Sequence, residues 1–143
     1  ARLRVPRGIA GDGTDLYIAD TGNHVVRRVN ADGIISTVAG TGQAGFAGDE
    51  GPAAQALLSQ PARVVVAGEL LMVSDRGNLR VRAVGLGTGT IGTFLGTGDA
   101  AVSADLLDAG LTATRRPEGL AVGEGFLYAA DAGHHVVRRI LVP

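Results

Sequence analysis

Cysteine and tryptophan are absent from this chain of 143 residues, and lysine supplies none of its 13 basic side chains. Without cysteine there is no disulfide framework, no thiol nucleophile and no thiolate metal site. A dominant charge is missing too. The 13 arginines face 14 acidic residues, a net charge of −1, so nothing draws the chain over long range to nucleic acid or an anionic membrane. Long apolar runs are also lacking: Glu69 interrupts Val64–Val73, far short of the roughly 18 residues of a membrane span. Ala1–Arg7 carries arginines where a secretory leader has its apolar stretch. What the chain does have is 45% hydrophobic and 19% charged residues, enough to build a core and outside the composition of disordered chains. A single soluble domain spanning residues 1–143 is expected. Glycine is plentiful, at 23 residues against five prolines. Because glycine is unfavourable inside regular elements and useful in turns, many short strands are the first expectation.

Self-comparison shows a repeat. Shifted by 111 positions, Pro6–Val29 falls on Pro117–Ile140 without a gap, and His24–Arg28 falls on His135–Arg139 unchanged. A diverged middle copy lies between them: Pro61, Leu71, Asp75, Gly77, Asn78, Val81, Arg82 and Val84 repeat Pro6, Leu16, Asp20, Gly22, Asn23, Val26, Arg27 and Val29. The units are 6–60, 61–116 and 117–143. Turn residues divide each into segments too short for helices. In the first unit the strands are expected at Gly8–Gly11, Leu16–Ala19, His24–Val29 and Ile34–Ala39, joined as antiparallel hairpins. The long connection Thr41–Gln60 leads to the next unit, with a helical turn expected within Pro52–Leu58. Such a connection fits a chain passing from the outer edge of one blade to the inner strand of the next.

Leu16-Tyr17-Ile18-Ala19-Asp20-Thr21-Gly22-Asn23-His24, Val38-Ala39-Gly40-Thr41-Gly42 and the Gly45-Phe46-Ala47-Gly48-Asp49 loop resemble the NHL-repeat family in its bacterial form. The resemblance covers the whole chain. It departs from the family pattern at Met72, which replaces the tyrosine, and at His134, which replaces the asparagine. WD-repeat and kelch propellers depend on tryptophan, which is absent here. The resemblance implies an all-β fold: a β-propeller of four-stranded antiparallel blades, two and a half to three of them in this chain, within a six-bladed ring. It also implies a binding platform, and leaves an extracytoplasmic location open.

Several recurring residues invite chemistry. Asp20, Asp75 and Asp131 end strands and are followed by Gly22, Gly77 and Gly133, with Asn23 and Asn78 in the same turns. They read as turn chemistry, the Asp accepting from backbone N–H groups of the turn it starts and the Gly taking the left-handed conformation. Arg27, Arg82 and Arg138, with Arg28 and Arg139, read as packed stems forming salt bridges between blades. His24, His134 and His135 are the three histidines. An adjacent pair on a strand points to opposite faces and suits one metal poorly. Gly40-Thr41-Gly42 and Gly85–Gly89 lack the Lys-Ser/Thr of a phosphate loop.

The inner-strand starts carry Arg7, Arg63 and Glu118. These are the candidate binding residues, able to take an anion but not composing a nucleophile, a base or a metal cage. No catalytic residue, metal or cofactor is assigned.

The third unit lacks a fourth strand, which would leave open edges and faces. The expectation is a homodimer or other self-assembly that closes one ring, with Arg2-Leu3-Arg4-Val5 of one chain pairing beside His135–Ile140 of another. A piece of a longer propeller is the rival account. The reading is a non-enzymatic binding or scaffold module with a protein or peptide ligand. The alternatives are a metal-dependent hydrolase- or lyase-like propeller, and an RNA-binding surface of arginine rows.

Overall fold

The structure, a computed structural model, describes residues 1–100 and 112–143. Regular structure among these residues is β-strand, apart from three single 3-10 turns. Strands β1 (Pro6–Gly11), β2 (Leu16–Asp20), β3 (Val25–Val29) and β4 (Ile35–Ala39) make a four-stranded antiparallel meander. The second sheet contains β5 (Gly51–Pro52), β6 (Pro61–Ala67), β7 (Leu70–Asp75), β8 (Arg80–Gly85) and β9 (Thr90–Leu95), in the order β5-β9-β8-β7-β6. The third is β10 (Pro117–Gly123), β11 (Phe126–Asp131) and β12 (Val136–Leu141). No described helix is long and apolar enough to cross a membrane.

The first strand begins two residues earlier than its pattern of turn residues predicts, because proline suits a strand's first position, where no ladder N–H is needed. In all three sheets the pairing of the first two long strands then slips at the same place, between Pro6 and Gly8, Pro61 and Arg63, and Pro117 and Gly119. The third strand begins one residue later than expected. His24 is left-handed (φ 56°) and closes the 3-10 turn Thr21–Asn23, so it lies outside the strand.

The sheets stand side by side on their inner strands, β6 lying against both β1 and β10. Gly8 permits this approach, since a Cβ there would stand 2.7 Å from the Ala62 carbonyl oxygen and 2.8 Å from the Arg63 Cα. One apolar core fills the space between the first two sheets, with Tyr17, Ala19 and Val26 on one side and Val64, Leu71 and Val73 on the other. A second core joins Met72, Val81 and Leu95 to Leu127 and Ala129 of the third sheet. The long connection contributes Ala53, Ala56 and Leu58 to the first core. Its helical turn is a 3-10 turn confined to Ala53–Gln55. Just before it, Gly51 and Pro52 pair with Ile91 and Thr90 of β9, an extra strand that no alternation of two residues could announce. The architecture is that of part of a β-propeller.

Arg2–Val5, expected to pair beside His135–Ile140 of another chain, is not a strand here and is tied to its own sheet. The Arg4 N–H donates to Asp20 Oδ1 at 2.7 Å, and the Arg4 carbonyl accepts from Gly22 N at 2.8 Å. Ser59 occupies the corresponding place in the second sheet, with the same two partners displaced by one repeat: its N–H donates to Asp75 at 2.7 Å and its carbonyl accepts from Gly77. The segment is therefore the lead-in of its own sheet, held by that sheet's aspartate.

Candidate functional site

The strand-ending aspartates organise each sheet. Asp20 Oδ2 accepts from Asn23 Nδ2 at 2.9 Å and from Arg27 Nε at 3.1 Å. Asp75 Oδ2 accepts from Asn78 Nδ2 at 2.7 Å and from Arg82 Nη1 at 3.3 Å. Asp131 accepts from Arg115 N and Arg116 N, each at 3.1 Å, and its Oδ2 lies 2.8 Å from His134 Nδ1 and 3.3 Å from Arg138 Nε. All three carboxylates are fully buried. The turn reading of these residues needs correction. The backbone donors come from the lead-in before the inner strand, not from the turn after the aspartate, and the turn asparagine donates through its side chain. Salt bridges between blades were expected of the arginines: Arg27, Arg82 and Arg138 pair with the aspartate of their own sheet, and Arg82 alone of the three is also shown paired with the preceding unit, at Asp49. A buried carboxylate needs several donors, and the third strand, being hydrogen-bonded to the second, brings its arginine nearest.

The glycines are corrected on similar grounds. Gly22, Gly77 and Gly133 do not take positive φ; that conformation belongs to His24, Leu79 and His135. Gly22 and Gly77 are needed because a Cβ would meet the lead-in backbone, 2.8 Å from the Arg4 oxygen and 2.8 Å from the Ser59 oxygen. The histidines do not share a strand. His134 sits in the turn against Asp131, and His135 is left-handed and exposed before β12 begins. His24 Nδ1 accepts from Gln60 N at 3.1 Å.

The middle sheet has one feature that repetition did not disclose. Arg82 also donates to Asp49 Oδ1 at 2.5 Å, and Thr93 donates to Asp49 Oδ2 at 2.6 Å, so the long connection is fastened onto this sheet. Phe46 of the same loop lies under the guanidiniums of Arg80 and Arg82, at 3.8 and 4.9 Å from its ring centre. Burial pushes the Asp75 carboxyl up despite its donors. At Asp131 burial acts in the same direction, but Arg116 N, His134, Arg115 N and Arg138 together outweigh it and hold the carboxyl down.

Arg7, Arg63 and Glu118 come from three different inner strands and line one pocket of about 180 Å³, together with Ala62. The Arg63 guanidinium donates to the Arg7 carbonyl. Glu118 Oε1 is held by Arg76 Nε at 3.3 Å and Arg116 Nε at 3.0 Å. Sequence reasoning missed Arg76 and Arg116. Arg76 follows Asp75 in a turn, and only the neighbouring sheet brings it beside Glu118. Next to this pocket, across Arg7, a second hollow of about 320 Å³ is lined by Arg4, Val5, Thr21, Gly22, His24 and Gln60. Val5 and Gln60 both take positive φ, at 48° and 50°. Both precede a proline, a position that disfavours helical geometry, and each follows the residue whose N–H reaches the buried aspartate. Among the described residues no three His, Asp or Glu side chains gather as a metal site would require.

No family model and no curated protein matches the chain. Solved structures do. An auxiliary nutrient binding protein from Bacteroides thetaiotaomicron superposes with a TM-score of 0.71 at 19% identity, over 92% of this chain and 36% of that one. An auxiliary nutrient binding protein from Bacteroides ovatus gives 0.68 at 23% identity, over 89% and 34%. Virginiamycin B lyase from Staphylococcus aureus gives 0.58 at 17% identity, over 96% and 41%. The chain thus spans between 34% and 41% of the length of these structures. At such identities the likeness carries the fold.

Proposed function

We propose that the chain belongs to an NHL-type propeller that works as a binding module rather than an enzyme, takes an anionic group of its ligand at the arginine-lined mouth of the inner strands, and completes its ring by self-association. The observation that carries this reading is the gathering of Arg7, Arg63, Arg76 and Arg116 about one carboxylate, Glu118, that two of them already hold. Positive charge is left in excess, and guanidinium groups match carboxylate and phosphate oxygens in pairs. The two nutrient-binding neighbours favour a binding role. The lyase neighbour is the ground for the enzymatic alternative. A divalent cation does not suit this mouth, whose single carboxylate is occupied by two guanidiniums. An RNA surface draws no support from the third strands, since Arg27, Arg82 and Arg138 are engaged by buried aspartates.

Calorimetric titration with inorganic phosphate and with citrate tests the proposal. Binding is expected, weakening at least about tenfold in Arg7→Ala and Arg63→Ala, a loss of about 1.4 kcal/mol. Equal binding by the parent and both variants overturns the assignment of the mouth.

A further inference from the structure

We infer that the hollow of about 320 Å³ between the first and second sheets, lined by Arg4, Arg7 and His24, is a carboxylate site, and that the ligand of the mouth is a small di- or tricarboxylate reaching into it across Arg7. The inference deepens the anion binding proposed above and rests on it.

The repeat shows what such a hollow takes. Between the second and third sheets the corresponding place is filled by a carboxylate of the chain itself. Glu118, on the third inner strand, is held there by Arg76 of the second sheet's turn and by Arg116 of the third lead-in. One unit earlier Ala62 stands for Glu118, Gln60 for Arg116 and Thr21 for Arg76. The built-in acid is absent between the first two sheets, and so are the arginines that hold it. Two other arginines serve instead. Arg4 and Arg7 have Ser59 and Ala62 as their counterparts one unit later, so both cations are particular to this hollow. Each hollow thus carries two guanidiniums, but only one has an acid of its own. Among the described residues no carboxylate pairs with Arg4 or Arg7. Like charges that share a hollow repel, and an anion between them turns the repulsion into attraction.

Both walls belong to sheets within this chain. His24 Nδ1 accepts from Gln60 N at 3.1 Å, and the Thr21 hydroxyl donates to the Pro61 carbonyl at 2.6 Å. With Nδ1 accepting, Nε2 is the donor of the His24 ring. The root of the Arg4 side chain is fixed against the turn, since a Cβ on Gly22 would stand 2.7 Å from Arg4 Cγ. Val5, on one wall, keeps a positive φ of 48° that β-branched residues avoid, and strain of this kind gathers where ligands are held. Arg7 lines this hollow and the mouth alike. A ligand whose acid groups lie a few carbon atoms apart engages both, whereas a single small anion fills one.

Calorimetric titration of the parent and of Arg4→Ala with citrate and with inorganic phosphate tests the inference. The substitution retains the backbone bonds of Arg4 to Asp20 and Gly22, so the variant should fold, which circular dichroism checks. Citrate is expected to bind Arg4→Ala at least about tenfold more weakly, and phosphate, which the mouth holds by itself, within about twofold of the parent. Ala62→Glu gives the first hollow the acid that Glu118 gives the second. It should weaken citrate at least about tenfold, while the uncharged Ala62→Gln leaves citrate within about threefold. Citrate binding unchanged in Arg4→Ala, citrate and phosphate weakened alike, or equal effects of Ala62→Glu and Ala62→Gln would each overturn the second carboxylate site. The mouth itself stands in those cases if Arg7→Ala and Arg63→Ala still weaken binding. A parent that binds neither anion overturns both.

Discussion

Asp75 and Asp131 hold the same place in the second and third sheets, each receiving a lead-in N–H, a turn side chain and the third-strand arginine. Their carboxyls nevertheless move in opposite directions, Asp75 up and Asp131 down. The difference lies in what surrounds them. The second sheet packs against a sheet on each face and against the 41–50 loop, whereas among the described residues the third packs against one sheet. Asp131 gathers two lead-in N–H groups, His134 and Arg138, which outweigh its loss of hydration, whereas Asp75 has a single lead-in N–H beside Asn78 and Arg82 and its burial prevails.

The sharpest way to break this symmetry is to remove the arginines. Arg82→Ala should destabilise by about 3–5 kcal/mol in urea unfolding, as expected when one partner of a buried pair is lost. Arg138→Ala should cost about half as much, because Asp131 keeps two backbone donors and His134. Equal losses would show that the additional donors of Asp131 are irrelevant.

The glycines sharpen the comparison next. Gly77→Ala sets a Cβ 2.8 Å from the Ser59 backbone oxygen, and Gly133→Ala sets one 2.6 Å from Arg115 Cβ, an atom fixed to its own backbone. A cost of about 2 kcal/mol is expected at each, read from thermal melts; a much smaller loss at Gly133 would show that the third lead-in yields where the second does not.

Acid titration of stability separates the aspartates by sign. The raised carboxyl of Asp75 favours the folded state while protonated, so its contribution is full below the ordinary pKa and is lost as pH rises through the folded value. The lowered carboxyl of Asp131 contributes above the ordinary value and loses that contribution as pH falls through its folded value. Relative to the parent, Asp75→Asn should therefore gain as pH rises from about 4, and Asp131→Asn should gain as pH falls below about 4. Curves of the same sign would refute the assignment. The smallest effect belongs to the valines. Val81→Ala should cost about 1–2 kcal/mol and Val137→Ala almost nothing in a dilute monomer.

Much of this was legible from the residues. Tandem Pro, Asp-x-Gly-Asn and Val-Arg spacings placed the strands within one or two residues, because a repeat reports the same local geometry several times. Arg7, Arg63 and Glu118 were marked by lying at the starts of three inner strands, and they line one pocket. The roles of Asp20, Gly22 and Arg27 were misread because local reasoning looks along the chain toward the next turn, while the backbone donor to Asp20 and the close contact at Gly22 both come from Arg4, 16 positions before Asp20. Arg76, Arg116 and the Asp49–Arg82–Thr93 link had no local signal at all.

Strand order, turn positions and the alternation of buried and open faces follow from the amino-acid sequence, since each depends on residues a few positions apart and recurs from unit to unit. Which carboxylate titrates upward, which arginine reaches Glu118 and which valine stays wet were decided by tertiary structure alone, because hydration and charge act through space, and equivalent residues meet different neighbours once the sheets stand side by side.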